Sequence, residues 1–150
     1  MQFRWRSFAE LSTQELYAVL ALRQGILVVE QSSPYADLDF IDQRADHLLA
    51  GGDAGLVGYG RCHGPLSDGG CASFGRLVVA RQQRGKGLGR ELVKLLLAHL
   101  ARDHSDVRIA AQLYLEPFYE SFGFAREGRP YDDTGILHVD MRLRLHEKPA

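Results

Sequence analysis

Residues 77–92 read LVVARQQRGKGLGREL. Leu77, Val78 and Val79 end a strand-like run. Glycines follow at positions 85, 87 and 89, with Arg84 before them, Lys86 among them and Arg90 after them. Leu88, Leu92, Leu95, Leu96 and Leu100 then recur on one helical face, which predicts a helix from about Gly85 to about Asp103. The stretch is thus a strand, a basic glycine-rich turn and a helix. Glycine lets backbone approach a ligand closely. The N–H groups at a helix N-terminus point at an anion, and the helix dipole favours negative charge there. The stretch predicts a phosphate-binding loop; the competing reading is a glycine-rich turn with incidental basic residues.

Two familiar phosphate loops do not fit. The P-loop needs GxxxxGK followed by a hydroxyl residue that holds magnesium. Here Lys86 is followed by Gly87, and Arg81 stands where the first glycine belongs. The dinucleotide fingerprint GxGxxG spaces its third glycine three places after the second and sits near the first strand of a parallel unit. Gly85, Gly87 and Gly89 give GxGxG past the middle of the chain. A nucleotide-binding oxidoreductase fails on that spacing. Gln82, Gly85 and Gly87 form QxxGxG instead, a loop that needs no metal ligand.

The rest of the chain sets the context. Its 150 residues predict one domain over 1–150. Hydrophobic residues make up 45% and charged residues 25%, the balance of an ordinary globular protein. A net charge of −1 argues against a nucleic-acid-binding face, which needs a basic surplus. Apolar runs are short, so no membrane span is expected, and MQFRWRSFAEL lacks the apolar core of a signal peptide. Cys62 and Cys71 fit a reducing, cytoplasmic setting.

Element by element, FRWRSF (3–8) reads as a strand, and Ser12 with Glu15 has capping-box spacing for a helix carrying Leu16, Val19, Leu20 and Leu27. QSSPYADLDFIDQRAD (31–46) reads as an acidic loop with one short helix. HLLAGG, AGLVGYGRC and CASFGRLVVA read as three strands, with a turn at GPLSDGG. VRIAA is a short buried strand. Glu116 and Pro117 open a short helix that Gly123 ends. In GILHVDMRLRL, Leu137, Val139, Met141, Leu143 and Leu145 share one face of a strand. The order predicts a single α/β domain with a mixed sheet.

LVVARQQRGKGLGREL resembles the cofactor-binding motif of the GNAT superfamily of N-acetyltransferases, and PFYESFGF (117–124) resembles that family's FYxxxGF signature. The order of elements is also similar. RQGILVVEQSSPYADLDFIDQRADHL (23–48) and AAQLYLEPFYESFGF (110–124) resemble the ElaA-like subfamily, so the resemblance runs from about Phe3 to Leu143. Ser33 departs from it, standing where many members carry cysteine; a packing effect is expected there rather than a chemical one.

The resemblance implies the GNAT fold: a central, mixed but mostly antiparallel twisted sheet flanked by helices. It implies transfer of the acetyl group of acetyl-CoA to a primary amine by direct attack, with no metal. Leu77, Val78 and Val79 would bind the cofactor through backbone. Arg84, Gly85, Lys86, Gly87, Leu88, Gly89 and Arg90 would cradle its pyrophosphate, and Gln112 would contact pantetheine. Tyr119 would be the general acid, with Tyr114 a weaker rival; a packing aromatic is the competing reading. The base is open among Glu30, His47, His138 and ordered water. The acceptor would be a small-molecule amine or a peptide, and the fold is compatible with a homodimer. A non-catalytic acyl-CoA-binding module on the same fold is the alternative.

Other constellations fall away. Counting from Asp37, an EF-hand would need Gly at 42 and Glu at 48, where Asp42 and Leu48 stand. Cys62, His63 and Cys71 lack zinc spacing. Asp37, Asp39, Asp42 and Asp46 form either an attractor for a cationic amine or a solvated loop.

Overall fold

The computed structural model describes residues 1–53 and 55–146. In chain order the elements are β1 (Gln2–Ser7), α1 (Thr13–Arg23), a π-helical segment (Gln24–Glu30), a 3-10 turn (Asp42–Arg44), β2 (Asp46–Gly52), β3 (Gly55–His63) and β4 (Ser73–Val79). A 3-10 turn (Arg81–Gln83) leads to α2 (Leu88–Leu100) and β5 (Asp106–Gln112). Another 3-10 turn (Leu113–Leu115) runs into α3 (Glu116–Glu120), followed by β6 (Ala125–Arg126), β7 (Tyr131–Asp133) and β8 (Ile136–Arg144). None of the helices among the described residues is long and apolar enough to cross a membrane.

β1 to β4 pair antiparallel in sequence order. β5, β8 and β6 form a second antiparallel sheet, and β7 also pairs with β8. The halves meet at one parallel bridge, Ala72 to Val107, where the Arg108 N–H donates to the Ala72 carbonyl at 3.0 Å. The mixed character expected of the sheet resides in that junction. Past it no β4–β5 ladder continues among the described residues.

The first sheet is covered on both faces, so β2 carries a continuous apolar run rather than an alternation. Leu48 and Ala50 face α2, while Leu49, Tyr59 and Val78 face α1 and its Val19. α2 buries Leu88, Leu92, Val93, Leu96 and Leu100; Leu95, expected on that face, is half-buried. Gly58 and Gly60 let α2 lie close to β3. A Cβ at Gly58 would meet Leu88 Cδ2 at 3.1 Å, and one at Gly60 would meet Leu96 Cδ1 at 2.9 Å.

α1 starts at the expected capping box: Ser12 Oγ accepts from the Glu15 N–H and Glu15 Oε1 from the Ser12 N–H, both at 3.0 Å. α2 begins at Leu88 rather than Gly85. Gly85 and Gly87 hold φ of +77° and +86°, which a right-handed helix cannot include. On β8, Val139 and Met141 are fully buried, but Leu137 is exposed. It pairs with the exposed edge strand β7, beyond the reach of the core.

Candidate functional site

A cleft of about 470 Å³ opens where β4 and β5 part. The backbone pattern explains its walls. The Ala80 N–H donates to the Val57 carbonyl at 2.7 Å. By the two-residue alternation of an antiparallel ladder, Val78 also turns its backbone groups to β3, while Leu77 and Val79 turn theirs to the cleft. The Val79 carbonyl accepts from Arg84 Nε at 3.0 Å rather than from a strand. On the other wall Arg108 points its N–H at β4, so Ala110 and Gln112 direct their backbone groups into the cleft.

The glycine loop closes one end. Gly85, Gly87, Leu88 and Gly89 line the cleft with Arg84. The first backbone bond of α2 runs from the Glu91 N–H to the Gly87 carbonyl at 3.1 Å. The amides of Leu88, Gly89 and Arg90 precede the ladder and are free to meet an anion. Two predicted residues stand aside: Lys86 is exposed without lining the cleft, and Arg90 lies over the Phe122 ring, 4.7 Å from its centroid, donating to Ser121 Oγ at 2.9 Å.

Tyr119 comes from α3, buried in an aromatic cluster with Phe74, Phe118 and Phe124 at centroid distances of 6.2, 5.1 and 5.9 Å. It lines the cleft, and its hydroxyl makes no hydrogen bond among the described residues. Burial, and then the neighbouring Tyr114 phenol, push its pKa up, so the proton stays on. Tyr114 also lines the cleft but is largely exposed.

A further wall is built from the π-helical segment, the loop after it and the β7–β8 hairpin. Glu30 accepts from Arg84 Nη1 and Nη2 at 3.0 and 2.7 Å and from Arg81 Nη2 at 2.8 Å. Arg84 and then Arg81 hold its pKa down to about 2. The Gln112 side chain is taken by Gln31 in a reciprocal amide pair at 3.3 and 3.0 Å. Ser33 Oγ, buried, donates to the Thr134 carbonyl at 2.9 Å and pins the hairpin tip. Its role is thus a hydrogen bond between two walls, beyond the packing effect expected of it.

Residues 23–145 match the acetyltransferase (GNAT) domain model. The chain belongs to the GNAT acetyltransferase family. It is 37% identical over 148 residues to a UPF0039 protein of Synechocystis, covering 97% of this chain and 96% of that one. It is 36% identical to the ElaA protein of Escherichia coli over 137 residues, 89% and 90% of the two chains. The crystal structure of that ElaA superposes with a TM-score of 0.86, covering 95% of this chain and 99% of that one. An acyl-CoA N-acyltransferase from Pseudomonas aeruginosa superposes at 0.87 with 33% identity and the same coverage. The fold is that of the acyl-CoA N-acyltransferases, and this GNAT chain is ElaA-like.

In this GNAT chain the acidic loop is neither a solvated face nor a cation attractor. Asp37, Asp39 and Asp42 are engaged by arginines. Fully buried Arg23 donates to Asp37 Oδ2 at 2.9 Å and to Asp42 Oδ1 at 2.7 Å. Arg61 Nη1 reaches the same Asp42 oxygen at 2.8 Å, and Arg61 also pairs with Asp39. Arg76 Nη2 donates to Asp39 Oδ2 at 3.1 Å, with Nε 2.8 Å from Asp37 Oδ1. Asp46 pairs instead with His99, at 2.9 Å.

This network reaches the cleft through Arg76. β4 is bulged there: Val78 faces Tyr59, but Gly75 faces Arg61, and Arg76 takes φ +51°. That left-handed conformation is strained for a residue with a side chain, and the two aspartates anchor it. Tyr35, under the Arg76 guanidinium, donates to Asp37 Oδ1 at 3.0 Å. Arg76 and Tyr35 are site residues that no local pattern announces. A charged residue inside an apolar strand is the one signal, and it does not say which carboxylate answers it.

The base candidates separate clearly. His47 is buried, its Nε2–H donating to the Asp42 carbonyl at 2.9 Å and its Nδ1 accepting from the Tyr59 hydroxyl at 2.6 Å. It does not line the cleft. Glu30 and His138 do.

Proposed function

We propose that this protein is an acetyl-CoA-dependent N-acetyltransferase acting on a primary amine, with residues 1–150 as one catalytic domain. One observation carries the reading: the free amides of the glycine loop open onto a cleft whose walls are the parted edges of β4 and β5. An anion fits at the loop and an extended polar arm fits between two strands with unused backbone groups. Gly87 keeps the loop open: its φ is positive, and even a Cβ there would meet no heavy atom within 4 Å.

The amides of Leu88, Gly89 and Arg90, with Arg84, would hold the pyrophosphate. Leu77, Val79, Ala110 and Gln112 would bind the pantetheine arm through backbone. The thioester supplies an activated acyl group. A Leu77 or Val79 N–H placed at the developing oxyanion would contribute about 3 kcal/mol of transition-state stabilisation. Tyr119, kept protonated by burial, would give its proton to the departing sulfur. Free thiols at Cys62 and Cys71 are consistent with a reducing, cytoplasmic setting.

The test is release of CoA from acetyl-CoA with a panel of amines and peptides. Turnover with a subset of primary amines supports the reading. Tight acyl-CoA binding with no turnover on any amine would favour a non-catalytic binding module.

A further inference from the structure

We propose that His138 is the group that takes the proton from the attacking amine. This deepens the acyltransferase reading and rests on it. An acyl acceptor must attack as a free amine or lose a proton as the new bond forms, so the cleft needs a lone pair held in place. Among the described histidine and carboxylate side chains lining it, Glu30 is committed to Arg81 and Arg84, and Asp133 stands exposed on the edge strand β7. His138 is half-buried and held.

The ring's orientation supplies the lone pair. His138 Nδ1 lies 2.8 Å from the Ile136 carbonyl oxygen. A carbonyl only accepts, so Nδ1 carries a hydrogen, and in the neutral ring the lone pair lies on Nε2. The ring stacks on Tyr131, with centroids 6.1 Å apart and an interplanar angle of 23°. On the other side Gln112 faces His138 in register, at the cleft end of β5.

The charged groups near His138 in the fold, or lining the cleft with it, are mostly engaged with one another. From β7 come Tyr131 and Asp133; along β8 Asp140 is bonded to Arg108 and to the Tyr131 hydroxyl. From β4 comes Arg76, tied to Asp37 and Asp39. From the π-helical segment comes Glu30, neutralised by its two arginines.

The step balances. The amine nitrogen bonds to the thioester carbonyl carbon as the carbon–sulfur bond breaks. The nitrogen's proton passes to His138 Nε2, and the sulfur takes one from Tyr119 Oη. The products are an amide and a free thiol, and solvent exchange returns a proton to Tyr119 and removes one from His138.

The experiment compares wild type, His138→Gln and His138→Ala, with acetyl-CoA and an amine that the wild type turns over. The proposal expects kcat to fall by roughly 10²-fold or more in both variants, the size of a lost general base. Added imidazole should restore part of the rate to His138→Ala. The melting shift induced by CoA, which reports the cofactor site independently, should be the same in all three proteins. An unchanged kcat or a loss confined to KM for the amine would overturn the assignment.

Discussion

Glu30 holds Arg84 through two hydrogen bonds, so the π-helical segment along the cleft is tied to the residue that opens the glycine loop. If the glycine loop holds the pyrophosphate as proposed, the phosphates of an incoming acyl-CoA would share Arg84 with that carboxylate or displace it. Exposed ion pairs are weak, screened by water and salt. Glu30→Gln should therefore tighten CoA binding, by up to about fivefold, and steepen its salt dependence. Calorimetric titration at two salt concentrations checks this. Weaker binding in the variant would mean that Glu30 supports the loop rather than competes for it.

The buried arginine–aspartate network predicts how the fold responds to acid. Burial pushes the Asp42 carboxyl up, but hydrogen bonds from Arg23 and then Arg61 outweigh it and hold the pKa below the ordinary range. Asp39 follows the same pattern, with Arg61 and the Ile41 N–H as the lowering partners. A carboxylate depressed in the folded state stabilises the fold above its unfolded pKa of about 3.9, and that stability is lost as pH falls further. Asp42→Asn leaves two buried guanidinium groups short of charge, at a cost of about 3–5 kcal/mol. Denaturant unfolding should show that loss at neutral pH and a shallower decline below about pH 4. A loss under about 1 kcal/mol would show that the network is not a structural anchor.

Tyr119→Phe separates chemistry from packing. The hydroxyl makes no hydrogen bond among the described residues, and the ring's aromatic contacts survive the change. The melting temperature and CoA affinity should stay close to wild type while kcat falls by about 10²–10⁴. Equal losses in turnover and CoA binding would count against a general-acid role.

Much of the fold and site is legible in the sequence because it is local. The glycine loop, the α2 leucines, the Ser12–Glu15 box and the alternation of β8 each declare themselves within a few residues. What stays hidden depends on partners far apart in the chain. Nothing near Asp42 names Arg23 or Arg61, so its loop reads as solvated although Asp37 and Asp42 are buried. The bulge at Arg76 arises from a register shift against β3, and no feature of SFGRLVV marks it. Ser33 meets Thr134 only once the β7–β8 hairpin folds back over the loop. Tyr119 is readable as a motif residue, whereas its lack of a hydroxyl partner comes from the packing of four aromatic rings.

Gly87 tests the loop from the other direction. Its φ of +86° disfavours any side chain by about 1–2 kcal/mol, and Gly87→Trp would add bulk where the loop opens onto the cleft. Acetyl-CoA should then bind far more weakly, as titration of the variant would show. Unchanged affinity would sink the assignment of this loop to the pyrophosphate.

The most direct measurement is the melting temperature of the purified protein with acetyl-CoA, CoA, ATP and NAD in parallel. A ligand at about a hundred times its Kd stabilises by ~2.7 kcal/mol, or about 5–11 °C for a chain of this size. Acetyl-CoA and CoA should produce that rise, and ATP and NAD should not. No rise with either CoA species, or an equal rise with NAD, would contradict the reading of the glycine loop and the cleft beside it.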